Sequence, residues 1–84
     1  MPEGIEAQTR QSLTNIMSIL KEAGLGPDNV AKTCVLLNDI NDFGAMNAVY
    51  AEFFPADKPA RVCYQVAALP KGALVEIEAT AAGI

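Results

Sequence analysis

The chain has 84 residues, 51% of them hydrophobic and 19% charged, with a net charge of −4 and no histidine. A domain this short buries only about 60–65% of its unfolded surface, so part of its apolar surface is expected to meet another subunit. The acidic balance offers no basic cluster to meet phosphates, which excludes a nucleic-acid platform, and the missing histidine excludes His-ligated metals and a His general base.

Met1 to Gly4 is a lead-in without structure of its own, and no signal peptide, polybasic run or membrane-length apolar stretch follows. From Ile5 to Ala23 the pattern is helical: Leu13, Ile16, Met17 and Leu20 fall at i, i+3, i+4 and i+7. Glu3 and Glu6 near its start and Lys21 near its end suit the helix dipole, and Gly24 is a natural residue to end it, with Gly26-Pro27-Asp28 preventing continuation. Val30 to Asn38 reads as a strand apolar on both faces, with Lys32 the exception. Asp39-Ile40-Asn41-Asp42 supplies turn chemistry and N-caps for a second helix, roughly Asp42 to Phe54, with an apolar stripe of Phe43, Met46, Tyr50, Phe53 and Phe54. Asn47 falls on that stripe and must find a hydrogen-bond partner, which a neighbouring loop is expected to supply, with a ligand-binding role as the alternative. Pro55 stops the helix, and Ala56 to Pro59 forms a short loop.

Pro59 to Ala81 reads as two strands around a turn. Val62, Tyr64 and Val66 alternate with Arg61, Cys63 and Gln65, and Val75, Ile77 and Ala79 alternate with Glu76, Glu78 and Thr80. If Leu69-Pro70-Lys71-Gly72 closes a hairpin, Gln65 faces Glu76, Cys63 faces Glu78 and Arg61 faces Thr80. Arg61, Cys63, Gln65, Glu76, Glu78 and Thr80 then share one face, with Glu78 a diagonal neighbour of Arg61 at roughly 7–8 Å. That face is either the wet side of an antiparallel sheet or a small polar site with Arg61 as anion anchor and a glutamate as proton-transfer group. The order α-β-α-β-β implies a single α+β domain over residues 1–84, with both helices on one face of the sheet and the Arg61/Glu76/Glu78 group on the other.

Nucleotide-binding and hydrolase motifs are absent. Cys34 and Cys63 lie outside any close metal-type spacing and read as free thiols of a reducing cytosol, and Cys63 has no histidine to activate it.

Five strings occur in order: Gln8 to Ile16, Asn41-Asp42-Phe43 with Asn47 and Tyr50, Pro59-Ala60-Arg61, Leu69-Pro70-Lys71-Gly72, and Glu76-Ile77-Glu78-Ala79. Together they resemble the RidA (YjgF) family, the reactive intermediate imine deaminases, across practically the whole chain. The resemblance implies a chorismate-mutase-like α+β fold and a cytoplasmic homotrimer with active sites in the clefts between subunits. It also implies hydrolysis of 2-aminoacrylate or 2-iminopropanoate to a 2-oxo acid and ammonia, with no metal or organic cofactor and neither nucleic acid nor membrane as partner. By the same resemblance Arg61 grips the substrate carboxylate, Glu76 positions or activates the attacking water, and Cys63 lines the site, partly through its backbone. The family pattern begins with strands ahead of the first helix that carry a tyrosine, a serine and glycines of the pocket. Met1 falls at the loop before that helix, so an N-terminally truncated form of the domain is expected. The alternative is a non-catalytic trimeric binding or assembly module of the same fold; a ribonuclease reading suits an acidic, histidine-free chain least.

Overall fold

A computed structural model describes residues 2–55 and 59–83. Its elements are α1 (Ile5–Glu22), β1 (Val30–Leu37), α2 (Phe43–Phe53), β2 (Ala60–Gln65) and β3 (Val75–Ala81), with single 3₁₀ turns at Pro27–Asn29, Ile40–Asp42 and Pro70–Gly72. This is the α+β arrangement read from the sequence, except that residues 56–58 of the loop before β2 lie outside the described residues.

Local chemistry sets the ends of the elements. Gly24 adopts a left-handed φ of 76°, and Leu25 N–H donates to Leu20 O at 2.8 Å while Gly24 N–H donates to Lys21 O at 3.0 Å. These two bonds close the last turn of α1, and a side chain at Gly24 would strain that conformation. Ahead of α2, the Asp39 carboxylate accepts from Asn41 N–H at 2.9 Å and starts the turn that leads into the helix. Arg10 of α1 and Glu52 of α2 pair through two hydrogen bonds of 2.8 and 2.9 Å, raising the arginine pKa and lowering that of the carboxyl from their ordinary values. Both side chains are about half exposed, so the pair adds little stability.

The sheet differs from the hairpin expectation. Its strand order is β2-β1-β3, with β1 parallel to β2 and antiparallel to β3. β2 and β3 therefore do not pair, and the expected couples Gln65/Glu76, Cys63/Glu78 and Arg61/Thr80 do not form. Val35 lies beside Cys63 on one side and Ile77 on the other, while Cys34 lies between Val62 and Glu78. The connection 66–74 crosses the end of β1, bonding it on both edges: Val66 N–H donates to Leu37 O at 2.9 Å and Asn38 N–H to Leu74 O at 3.0 Å. Within it, Lys71 and Gly72 take successive left-handed φ values of 59° and 68°, which let the chain reverse. Turn-forming residues mark a reversal but do not say whether the flanking strands touch.

Both helices cover the face formed by Thr33, Val35 and Leu37 of β1 and by Val75 and Ile77 of β3, all buried. Leu13 and Leu20 of α1 and Met46 and Tyr50 of α2 complete the core. A register shift between Val30 and Lys32 turns Val30 inward as well, where strict alternation would have placed it outside. The core makes one stability prediction. Leu13 is fully buried and Ile19, on the same helix, is 67% exposed. Leu13→Ala should cost about 2–5 kcal/mol in denaturant unfolding, whereas Ile19→Ala should stay within about 0.5 kcal/mol of the parent.

Candidate active site

The site begins with one helix face. Phe43, Asn47 and Tyr50 stand at i, i+4 and i+7 of α2 and so point the same way. β2 enters beneath them at Arg61. Arg61 Nη1 donates to Asn47 Oδ1 at 2.6 Å, and the guanidinium carbon lies 4.6 Å from the Tyr50 ring centroid and 5.3 Å from that of Phe43. An arginine only donates, which fixes the orientation of the Asn47 amide. The charged hydrogen bond contributes about 1.5–3 kcal/mol and each ring face about 0.5–2 kcal/mol, so the guanidinium is held in one orientation. Among the described residues Arg61 makes no ion pair with a carboxylate. Its edge away from Asn47 presents the planar fork that matches a carboxylate.

Below Tyr50, its hydroxyl and that of Thr33 share a 2.7 Å hydrogen bond, both residues being buried. Thr33 is the register partner of Arg61 on β1. Cys63 and Gln65 follow Arg61 on the same face. Gln65 Oε1 accepts from Ile40 N–H at 2.8 Å and ties β2 to the turn before α2. Burial pushes the half-buried Cys63 thiol above its ordinary pKa; Arg61 opposes that shift, and Cys34 adds to it. The thiol is therefore protonated and unreactive near neutral pH, as the lack of a histidine partner suggested.

The six residues expected on one face thus divide between two. Arg61, Cys63 and Gln65 face the helices, whereas Glu76, Glu78 and Thr80 face away from them, as their register with Leu36, Cys34 and Lys32 requires. β1 also stands between β2 and β3, so two strand spacings, about 9.6 Å, separate their rows. A single chain does not bring Glu76 to Arg61. Glu78 is no neighbour of Arg61 either; the fixed partner is Asn47, reached from a strand rather than from the loop expected for it. The helix-averse face also carries Val62 and Tyr64, 46% and 50% exposed, whereas the alternation in the sequence suggests the aliphatic side of β2 toward the helices. Shifting a strand's alternation by one residue inverts every side chain, and the alternation of β2 alone does not reveal which set faces inward. The apolar stripe assigns Phe43 and Tyr50 to the core, and the two-sided strand gives Thr33 no special place; the i, i+4, i+7 spacing of Phe43, Asn47 and Tyr50 is the sequence signal of their joint role, and Thr33 carries none.

The family model described as Endoribonuclease L-PSP matches residues 1–83. The chain belongs to this family, the RidA (YjgF) family. The 2-iminobutanoate/2-iminopropanoate deaminase of goat, Capra hircus, is 57% identical over 81 residues, covering 96% of this chain and 59% of that protein. A RutC family protein of Synechocystis is 53% identical over 83 residues, covering 96% of this chain and 64% of its own length. The crystal structure of Escherichia coli TdcF with bound serine superposes with a TM-score of 0.93 at 41% identity, over 100% of this chain and 68% of that one. The chain thus spans roughly three-fifths of the curated relatives it matches. Among the described residues no helix is long and apolar enough to cross a membrane.

Cys63 gives a direct check on the electrostatics of this RidA family site. In a Cys34→Ser variant Cys63 is the single thiol, and its alkylation rate should rise with a midpoint pH above that of a free cysteine peptide. A midpoint below it would show the Arg61 charge outweighing burial.

Proposed function

We propose that this chain contributes to an imine deaminase site in which Arg61 of one copy and Glu76 of a second copy act together. The single observation that carries the reading is the guanidinium of Arg61, fixed by Asn47 and two rings with a fork edge left for a carboxylate. The deaminases of goat and rat, 57% and 53% identical to this chain, supply the reaction class. The substrate is a small 2-imino carboxylate or its enamine tautomer. Arg61 holds the carboxylate and Cys63 lines the floor beside it. The Glu76 carboxylate takes a proton from water as its oxygen bonds the imine carbon, then returns the proton to nitrogen. Glu76 then takes the carbinolamine hydroxyl proton and passes it to the amino nitrogen as the C–N bond breaks, giving a 2-oxo acid and ammonia, so water is the sole co-reactant. Neither step calls for a cofactor, and the free thiols suit a cytosolic setting.

The second copy follows from the sheet. Glu76 and Arg61 lie on opposite faces of one chain, and the face bearing Glu76 also exposes Val62 and Tyr64. A homotrimer that covers this apolar strip with neighbouring chains would supply the missing carboxylate at each site. The same exposed strip is what a purely structural module would use, so the competing reading keeps the assembly and omits the chemistry.

Mixing variants tests the proposal. Arg61→Lys keeps the charge but loses the fork, and should weaken 2-oxo acid binding by about 1–3 kcal/mol. Glu76→Gln should lower imine turnover by about 10²–10⁴ relative to wild type, measured against hydrolysis in buffer. When Arg61→Ala and Glu76→Gln chains are unfolded, mixed in equal amounts and refolded together, about a quarter of the sites should regain both residues by random assortment. Activity restored on mixing two inactive variants is the expected result. Mixing that restores nothing would place the two residues in one chain's site or in none. Wild type indistinguishable from buffer would leave the assembly module.

A further inference from the structure

Tyr50 is fastened at both ends. Its Cα belongs to α2, and its hydroxyl bonds Thr33 Oγ1 on β1 at 2.7 Å in the buried interior. One side of its ring meets Phe54, with centroids 5.0 Å apart and planes tilted by 43°. The Arg61 guanidinium also lies on this ring, 4.6 Å from the centroid, and Thr33 is the strand neighbour of Arg61 itself. Three residues from three elements thus close a small circuit: Arg61 to the Tyr50 ring, the Tyr50 hydroxyl to Thr33, and Thr33 back to Arg61 through the β1/β2 ladder.

We infer that Thr33 and Tyr50 form a positioning pair for the carboxylate-binding arginine, in which one buried hydrogen bond sets the plane of the guanidinium. The inference rests on the reading of Arg61 as carboxylate anchor. A bidentate fork binds well only when its plane is preset, because each freely turning bond in the arginine side chain must otherwise be frozen on binding. Asn47 fixes one edge of the guanidinium, but a hydrogen bond alone leaves rotation about its own axis. The ring face removes that freedom provided the ring does not turn. A phenol pinned at its para oxygen resists sliding or tilting away from the cation more than a phenyl ring held by core packing alone. Thr33 therefore acts on the ligand through Tyr50, without touching it.

The hydroxyl pair also allows a test that separates positioning from stability. Removing one partner strands the other in the core, but removing both leaves an apolar contact of nearly the same shape. Tyr50→Phe and Thr33→Val should each lower the denaturation midpoint, and the double variant should recover much of that loss. Affinity for 2-oxobutanoate, measured by calorimetric titration, should behave otherwise. Each single variant should bind about three- to tenfold more weakly, the worth of one hydrogen bond, and the double variant should be as weak as either single without further loss. Thr33→Ser, which keeps the hydroxyl, should bind as wild type does.

Wild-type affinity in the re-stabilised double variant, or losses that add in it, would overturn the inference even if Arg61→Lys binds poorly. If wild-type protein does not bind 2-oxobutanoate at all, the anchor reading of Arg61 falls and this inference with it. A chain that binds the oxo acid in the pattern described but fails to hydrolyse imines would overturn the deaminase proposal while upholding the positioning pair.

Discussion

β1 uses the backbone hydrogen bonds of both its edges, one for a parallel neighbour and one for an antiparallel neighbour. The site depends on that constraint. A parallel β2 must be reached by a crossover, and α2 is the element between them, so the helix that covers the sheet is also the one connected to β2. Its inner face consequently meets Arg61, while Gln65 is held by the turn just before the helix. An antiparallel β2/β3 hairpin would have placed Arg61 beside the glutamates and left the Asn47 amide without the guanidinium it now accepts from.

Burying the base of an arginine under a helix requires that its charge be accommodated without a carboxylate. Here an amide oxygen and two aromatic faces do so. Each is a weaker partner than a carboxylate, and none neutralises the cation. An ion pair with Glu78 would have held Arg61 more tightly but consumed the positive charge that an incoming anion needs. The exposed Arg10–Glu52 pair shows the other use of the same chemistry, two opposite charges satisfied by each other at the helix surface. Cys63 completes the contrast: next to a cation, yet kept neutral because desolvation outweighs the attraction.

The second face of the sheet is where the single chain is unfinished. Val62 and Tyr64 stand exposed on the edge strand β2, with Lys32, Cys34 and Leu36 of β1 between them and the row of Glu76 and Glu78 on β3. Exposed apolar side chains are poorly served by water, and among the described residues both helices lie on the other side of the sheet. Dividing carboxylate binding and water activation between the two faces makes assembly a condition for the proposed chemistry.

Much was legible in the linear sequence because it depends on neighbours in the chain. The 3.6-residue stripe of Leu13, Ile16, Met17 and Leu20, the stop at Gly24, the turn chemistry at Asp39 and the alternation in β3 are local, and each led to the element observed. The five strings that mark the RidA family were equally visible, and with them Arg61, Cys63 and Glu76 as candidates. The partner of each strand was not local. Insertion of β1 between β2 and β3 decided which side of β2 faced inward, and so separated Arg61 from Glu76. Asn47, Tyr50 and Thr33 became parts of one arrangement only when α2, β1 and β2 met in space. Alternation along a strand defines two faces, but only packing against the rest of the molecule names which one is buried.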